Sequence, residues 1–137
     1  MKVILCISNN NGMMFNNRRQ SKDTVLLNRI VKMTKGGTLY IQKYSEKLFS
    51  NYLLDNSIIV FDDFDMLYEC SEESYVFIED PEILKDLKIN EIIVCEWNRD
   101  YPADKFFKMD LSNFDLYETE NLIGSSHDEI TIKKYKR

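Results

Sequence analysis

Histidine and cysteine, the residues that form zinc sites and disulfides, are scarce in this sequence. It has one histidine and three cysteines among 137 residues. Zinc and disulfide sites need such residues close together, yet Cys6, Cys70 and Cys95 are far apart, and each lies in or beside an apolar run. We therefore expect no metal site and no disulfide framework. Buried free thiols in a reducing compartment are the simpler interpretation.

Long apolar runs, low-complexity tracts and flexible linkers are also missing. The chain has two prolines and four glycines. Its opening segment, MKVILCISNN, turns polar after a few apolar residues, which is too short for a signal peptide or a membrane span. Because no linker divides residues 1–137, we expect one domain. We place that domain in the cytoplasm, away from membranes.

Positive charge is in the minority, and the formal net charge is -5 with a pI near 4.9. This balance argues against general binding to nucleic acids or membrane surfaces, but it leaves room for a local basic patch. Acidic residues gather at Asp62, Asp63 and Asp65 and again at Glu72 and Glu73. Helix caps and solvated loops explain most such acids. The alternative is an acidic face for a basic protein partner.

Short β-rich runs alternate with short helical patterns along the chain. Residues 2–8 (KVILCIS) are apolar and β-branched, which predicts a strand buried on both faces at the centre of a sheet. Residues 21–34 have helical spacing, with Ser21 as the expected N-cap and Asp23 in the first turn. The other predicted elements are strands at 38–42, 57–61, 74–79 and 91–97, helices at 44–53, 63–70 and 81–87, and two antiparallel strands at 114–121 and 128–136.

This order of elements predicts an α/β fold. The expected architecture is a single-domain sheet with helices on both faces and a C-terminal antiparallel hairpin. Ligands of such sheets bind beyond the carboxyl ends of the strands. The loop at 9–23 leaves the first predicted strand at that end, which makes it the first candidate for a site.

Three stretches carry a resemblance to dihydrofolate reductase. NNNGMM resembles that family's Asn-x-x-Gly-x-Ile segment after the first strand. The second stretch resembles the family's substrate-side helix together with the strand and short helix that follow it, and reads LLNRIVKMTKGGTLYIQKYSEKLF. The tail from IIVCEWNRDYPADKFF to ITIKKYKR resembles the family's last strands, with ADKFF near its Gly-Asp-Thr-x-Phe segment. The resemblance covers most of the chain and implies a dihydrofolate reductase-like fold.

The same resemblance implies that the cofactor half has changed. In that family one strand ends in a Gly-Gly pair against the cofactor pyrophosphate. Here Glu79 and Asp80 stand at that place, where carboxylates repel a pyrophosphate and side chains prevent close approach of the backbone. The segment that would hold the adenosine is short, and the family's Trp-x-x-Pro-x-Asp/Glu pattern is replaced by residues 17–22. We therefore expect no cofactor and no ordinary NADPH-dependent reduction.

A weaker resemblance concerns the run GMMFNNRRQS, which is similar to short proteins labelled ribonuclease Z. The zinc mechanism of that nuclease needs a His-x-His-x-Asp-His cluster. His127 is the only histidine of the chain and falls in a predicted turn, so a nuclease activity would need another mechanism. The sequence shows no evident pair of nucleophile and base, so no activated serine or cysteine is predicted.

The stretch from Asn16 to Asp23 is the first candidate ligand site. An arginine pair before a helix start suits an anion, because free N–H groups, the helix dipole and a guanidinium converge there. We expect one of the two arginines to face the cleft near Trp97 and the other to face solvent or pair with an acid. The alternative is an ordinary helix cap with surface charges. The candidate ligand residues here are Asn16, Arg18, Arg19, Gln20, Ser21 and Asp23.

The segment 95–104 is the second candidate. Trp97 is the only tryptophan, and an aromatic floor with amide and guanidinium donors can hold a heterocycle or a base. The alternative is a core tryptophan followed by a turn. If the strand at 91–97 lies beside the first strand, both candidate stretches reach one cleft. The candidate ligand residues here are Trp97, Asn98, Arg99 and Tyr101.

Three functions remain open on the sequence. The first is a reductase-fold protein that binds a small anionic or heterocyclic ligand between the 9–23 loop and the 95–104 segment. The second is an RNA-binding or RNA-processing protein that uses Arg18, Arg19, Trp97 and Arg99. The third is an acidic, non-enzymatic partner of a basic protein, such as an immunity protein.

Overall fold

A computed structural model of the chain describes residues 1–54, 57–67 and 70–137. The described residues contain one α-helix, α1 (Thr24–Met33), and short 3-10 turns at Lys43–Ser45, Ser50–Tyr52, Phe64–Leu67 and Pro81–Asp86. The strands in chain order are β1 (Lys2–Ile7), β2 (Gly12–Phe15), β3 (Arg18–Arg19), β4 (Leu39–Gln42), β5 (Ile58–Phe61), β6 (Tyr75–Phe77), β7 (Glu91–Glu96), β8 (Lys105–Phe106), β9 (Asp115–Leu122) and β10 (Ile130–Lys136).

Seven of these strands form one mixed sheet in the order β5-β4-β6-β1-β7-β10-β9. Strand β1 lies in the middle, parallel to β6 on one side and to β7 on the other. Val3, Ile4 and Leu5 are 0% exposed, so consecutive side chains of β1 are buried on opposite faces. The prediction of a central first strand is therefore confirmed.

The last two strands run antiparallel and close the sheet. Strand β10 pairs with β7 and with β9. The α/β class and the C-terminal hairpin are thus confirmed. The loop between β9 and β10, residues 123–129, reaches back to the start of α1, where Ser125 and Ser126 donate hydrogen bonds to the Asp23 side chain. No helix among the described residues is long and apolar enough to cross a membrane.

One face of the sheet is covered by α1. Its buried residues Leu26, Ile30 and Val31 belong to the same hydrophobic cluster as Ile4 of β1. The opposite face is covered by loops, 3-10 turns and strand β2, which contributes Met13. Helices were predicted on both faces. In the described residues the predicted helices at 44–53, 63–70 and 81–87 are short 3-10 turns, and residues 68 and 69 lie outside the described part of the chain.

The helix begins later than the sequence pattern predicted. Ser21 was expected to be the N-cap, but Asp23 holds that position, and its Oδ1 accepts from the backbone N–H groups of Val25 and Leu26. A carboxylate is a strong cap because it also interacts favourably with the helix dipole. The Ser21 side chain is therefore free of the capping role.

The run of amides before the two arginines forms a hairpin turn that was predicted as a loop. Phe15 of β2 pairs with Arg18 of β3, which leaves Asn16 and Asn17 as the two turn residues, with φ of 52° and 57°. A two-residue turn of this kind needs positive φ at both positions, and asparagine tolerates it well. With β8, this hairpin forms a second, three-stranded sheet in the order β3-β2-β8.

Candidate functional site

Asp23 lies at the centre of a buried polar cluster. Its Oδ1 accepts from the N–H groups of Val25, Leu26 and Ser125, at 3.0, 3.2 and 3.0 Å. Its Oδ2 accepts from the N–H and the hydroxyl of Ser126, at 2.9 and 3.2 Å, and contacts His127 Nδ1 at 3.0 Å. The carboxylate therefore joins the start of α1 to the loop between β9 and β10.

Close packing at this joint depends on Gly124. A Cβ on this residue would overlap Asp23 Oδ2. Glycine therefore lets the backbone of the loop approach the carboxylate closely enough to donate its N–H groups.

The hydrogen bonds set the charge of Asp23. Burial alone would raise the pKa of this carboxyl, but hydrogen bonds from the Ser126 and Ser125 backbones and from His127 outweigh it and hold the pKa well below its ordinary range. Asp23 is therefore a carboxylate at neutral pH, although its side chain is 0% exposed.

His127 connects this carboxylate to two hydroxyl groups. Its side chain is 1% exposed, and its ring stacks on Trp97 with centroids 4.6 Å apart. Nε2 lies 3.2 Å from Ser21 Oγ and 2.9 Å from the Tyr101 hydroxyl. In the neutral ring, the Asp23 carboxylate on Nδ1 favours a proton there, which leaves the Nε2 lone pair facing the two hydroxyls.

Sequence reasoning missed this arrangement. The sequence predicted no serine with an activating histidine, whereas the structure brings Ser21 and His127 into contact across the fold. The two residues are 106 positions apart in the chain. The only signal in the sequence is that His127 lies in a turn between two predicted strands, and this does not indicate where the turn docks.

The N–H groups at the start of α1 already have acceptors. Thr24 N donates to Ser125 Oγ at 3.0 Å, and the next two N–H groups donate to Asp23. The sequence had predicted an anion at this helix start. These three donors are not free for one, because the protein's own side chains satisfy them.

The two arginines of β3 point in different directions, as alternation along a strand requires. Arg19 donates from Nε and Nη2 to Glu79 at 2.7 and 3.0 Å, and Ser45 adds a hydrogen bond to the same carboxylate at 2.8 Å. Glu79 is 7% exposed. Arg18 is exposed and forms no ion pair with any described residue.

The candidate residues of the 95–104 segment separate into two groups. Trp97 is 4% exposed and Tyr101 is half-buried beside His127. Asn98 and Arg99 are exposed. The Asn98 amide donates to the carbonyl of Glu129 and the hydroxyl of Thr131, so it holds the end of β7 to β10.

Two cavities share Arg19 and Gln20 among their lining residues. A narrow cavity of about 30 Å³ lies between α1 and the sheet, and its walls include Ser21, Asp23, Glu79 and Trp97. An open cleft of about 460 Å³ lies between the β2–β3 hairpin and residues 101–102. The amide oxygen Oε1 of Gln20 is buried and has no hydrogen-bond partner among the described residues.

The overall arrangement of strands is similar to that of a solved enzyme. Dihydrofolate reductase from Enterococcus faecalis, complexed with NADP(H) and RAB-propyl, superposes with a TM-score of 0.73 over 99% of this chain and 95% of that one. The chain has a dihydrofolate reductase-like fold. Sequence identity to that enzyme is 12%, so the likeness concerns the fold alone.

The sequence resemblance to the reductase fold is thus confirmed at the level of the fold. The chain matches no protein-family model and no curated protein sequence. The weaker resemblance to ribonuclease Z stays a hypothesis from the sequence.

In this reductase-like fold, the two carboxylates after β6 are held by partners within the chain. Glu79 is held by Arg19, as described above. Asp80 caps the turn at Pro81–Asp86 by accepting from Glu82 N at 3.1 Å, and it pairs with Lys105 Nζ at 3.0 Å. Both acids therefore have structural roles where the resemblance implied a glycine pair.

Proposed function

We propose that this chain binds a planar nitrogen heterocycle in the cleft between the 9–23 loop and the 95–104 segment, without NADPH-dependent reduction. The observation that carries the proposal is the unsatisfied amide oxygen of Gln20, a residue that lines both cavities. A buried acceptor without a donor costs about 1–3 kcal/mol, and a ligand N–H would remove that cost.

The conformation of Gln20 is held by its own amide nitrogen. Nε2 donates to Ser8 Oγ at 3.0 Å and to the carbonyl of Pro102 at 3.2 Å. Because both bonds use the nitrogen, the oxygen stays oriented as an acceptor. The ligand edge that suits it carries an N–H donor, as the amide-like edges of pyrimidines, purines and pteridines do.

The open cleft supplies the other contacts that such a ligand needs. Its volume of about 460 Å³ falls within the range of small-molecule sites, about 300–1,000 Å³. Phe15 is 42% exposed at its edge, and Arg18 is an exposed cation without an ion pair among the described residues. A carbonyl oxygen or an attached anionic group of the heterocycle would pair with that guanidinium.

Binding should be weakened by Arg18→Ala and left unchanged by Lys47→Ala. Lys47 is an exposed cation that lines neither cavity, and it serves as the matched control. A charge-assisted hydrogen bond contributes about 1.5–3 kcal/mol, which corresponds to roughly a 10-fold to 150-fold change in affinity. The measurement is ligand-observed NMR with a panel of pyrimidine and purine nucleosides and nucleotides and of pteridines. The proposal fails if no panel member binds, or if both variants bind alike.

NADPH should give no saturable binding signal up to millimolar concentration. Glu79 and Asp80 occupy positions where the family resemblance implies glycine, and each carries a side chain engaged within the fold. The measurement is fluorescence titration with NADPH near physiological salt. A dissociation constant in the micromolar range would show that the cofactor half is functional and would remove this part of the proposal.

The two alternative functions have less support. Trp97 is 4% exposed with one face against His127, so it offers no open ring face to an RNA base. Asp62 follows β5, whereas Glu73 precedes β6, and both strands are parallel to β4. These acids therefore lie at opposite ends of the sheet and do not form one acidic face.

A further inference from the structure

Ser21, His127 and Asp23 form a linear relay of hydroxyl, imidazole and carboxylate. Ser21 Oγ lies 3.2 Å from His127 Nε2, and His127 Nδ1 lies 3.0 Å from Asp23 Oδ2. The same order of groups activates the nucleophile in serine hydrolases on several unrelated folds, where it is recognised by geometry and not by chain position. Neither the fold likeness nor the ligand proposed above assigns a role to it.

We propose that Ser21 is a nucleophile activated by His127 and Asp23, and that it gives this chain an acyl-transfer activity towards small activated carboxylic esters. The proposal rests on the geometry of these three side chains and is independent of the heterocycle proposed above.

The relay assigns a separate role to each group. Ser21 Oγ attacks the ester carbonyl carbon and passes its proton to His127 Nε2. The carbon–oxygen bond to the leaving alcohol then breaks, and the alcohol takes that proton, which leaves an acyl group on Ser21. Water attacks this ester, giving its proton to His127, and the carboxylic acid is released as Ser21 recovers its proton. Asp23 holds the imidazole with its proton on Nδ1 and stabilises the imidazolium that forms.

Access to Ser21 is consistent with these steps. Its side chain is only partly buried, and its neighbours Gln20 and Tyr101 line the open cleft, so we expect a small ester to approach the hydroxyl from that side. Ser21 also lines the narrow cavity of about 30 Å³. A water molecule needs about 10–15 Å³ of such volume, so the cavity has room for the water that completes the reaction.

The Tyr101 hydroxyl contacts both Ser21 and His127. It lies 2.9 Å from His127 Nε2 and donates to Ser21 Oγ at 3.2 Å. Tyr101 has one hydroxyl proton. When Tyr101 donates it to Ser21 Oγ, Ser21 is left to donate to Nε2, and when Tyr101 donates it to Nε2, Tyr101 competes with Ser21 for that lone pair. Tyr101→Phe removes the competitor and leaves Ser21 as the hydroxyl facing the imidazole.

The test is labelling of the intact, folded protein with a fluorophosphonate, followed by peptide mass spectrometry. The reagent forms an oxygen–phosphorus bond to an activated serine and releases fluoride. We expect the adduct on Ser21, and we expect Ser21→Ala to abolish it. His127→Gln, compared only if circular dichroism shows it folded, should slow labelling by roughly two orders of magnitude or more. Tyr101→Phe should label at least as fast as the unmodified chain.

Ser112 provides the matched control within the same molecule. Its hydroxyl lies 3.1 Å from a carboxylate oxygen of Asp110, but it is an exposed turn residue without an imidazole partner. It should remain unlabelled, as should Ser21 in urea. A folded protein without an adduct on Ser21 overturns the proposal, and so does an adduct found only on Tyr101. Because the probe carries no heterocycle, its outcome is separate from that of the ligand panel.

Discussion

Replacing Asp23 by alanine should lower the free energy of unfolding by about 3–5 kcal/mol. The carboxylate accepts from the N–H groups of Val25, Leu26 and Ser125 and from two groups of Ser126, and it contacts His127. Alanine leaves these buried donors without an acceptor and removes the cap of α1. Urea denaturation followed by circular dichroism measures the change.

The control for this prediction is Asp80→Ala. Asp80 also caps a turn and pairs with a cation, but its side chain is 31% exposed. Its loss should cost about 1 kcal/mol, as for an ordinary cap. If both variants lose similar stability, the buried network around Asp23 contributes little beyond capping.

The contribution of Asp23 should also depend on pH in a defined direction. Its pKa in the folded protein is lowered, because hydrogen bonds from Ser126 and Ser125 outweigh the effect of burial. A lowered pKa adds stability that is complete above the unfolded-state value, about 3.9, and is lost as pH falls towards the folded-state value. The difference in stability between the unmodified chain and Asp23→Asn should therefore be constant above about pH 5 and shrink below about pH 4.

Replacing Arg19 by alanine should cost about 2–4 kcal/mol, less than for a fully buried pair because Arg19 is partly exposed. Its side chain is 26% exposed, whereas that of Glu79 is 7% exposed. Without Arg19, the Glu79 carboxylate keeps only the hydrogen bond from Ser45 among its described partners. A cost within about 1 kcal/mol would be expected on the assumption of a largely exposed charge. That assumption does not hold for Arg19, because its guanidinium forms a bidentate pair with the buried Glu79 carboxylate.

The neighbouring arginine is the matched control. Arg18→Ala changes the same residue type one position away, on an exposed side chain, and should stay within about 0.5 kcal/mol. The double variant Arg19→Ala with Glu79→Ala should be more stable than the two separate losses predict, because it leaves no unpaired buried charge. Equal losses for Arg18→Ala and Arg19→Ala, measured by urea denaturation, would contradict this account.

The sequence by itself determined the strands of the seven-stranded sheet and the class of fold, but not the strands of the smaller sheet. Residues 2–8 are apolar at consecutive positions, and only a strand buried on both faces tolerates that pattern, so the central place of β1 was predictable. The adjacent position of β7, which Trp97 directly follows, was expected from the resemblance to the reductase fold and is confirmed by the pairing of β1 with β7. The short 3-10 turns were predicted as helices because both conformations share the same local residue preferences over so few positions.

Only the tertiary structure decided which polar groups meet. The asparagines at 16 and 17 form a hairpin turn, and strand alternation then sends Arg18 outward and Arg19 to Glu79. Ser21 and His127 are 106 residues apart, and they meet because the last hairpin closes the sheet beside α1. Local propensities fix the backbone of each segment, whereas such contacts depend on how distant segments dock. The sequence pattern therefore did not predict the relay of Ser21, His127 and Asp23, because it does not show that these three side chains meet.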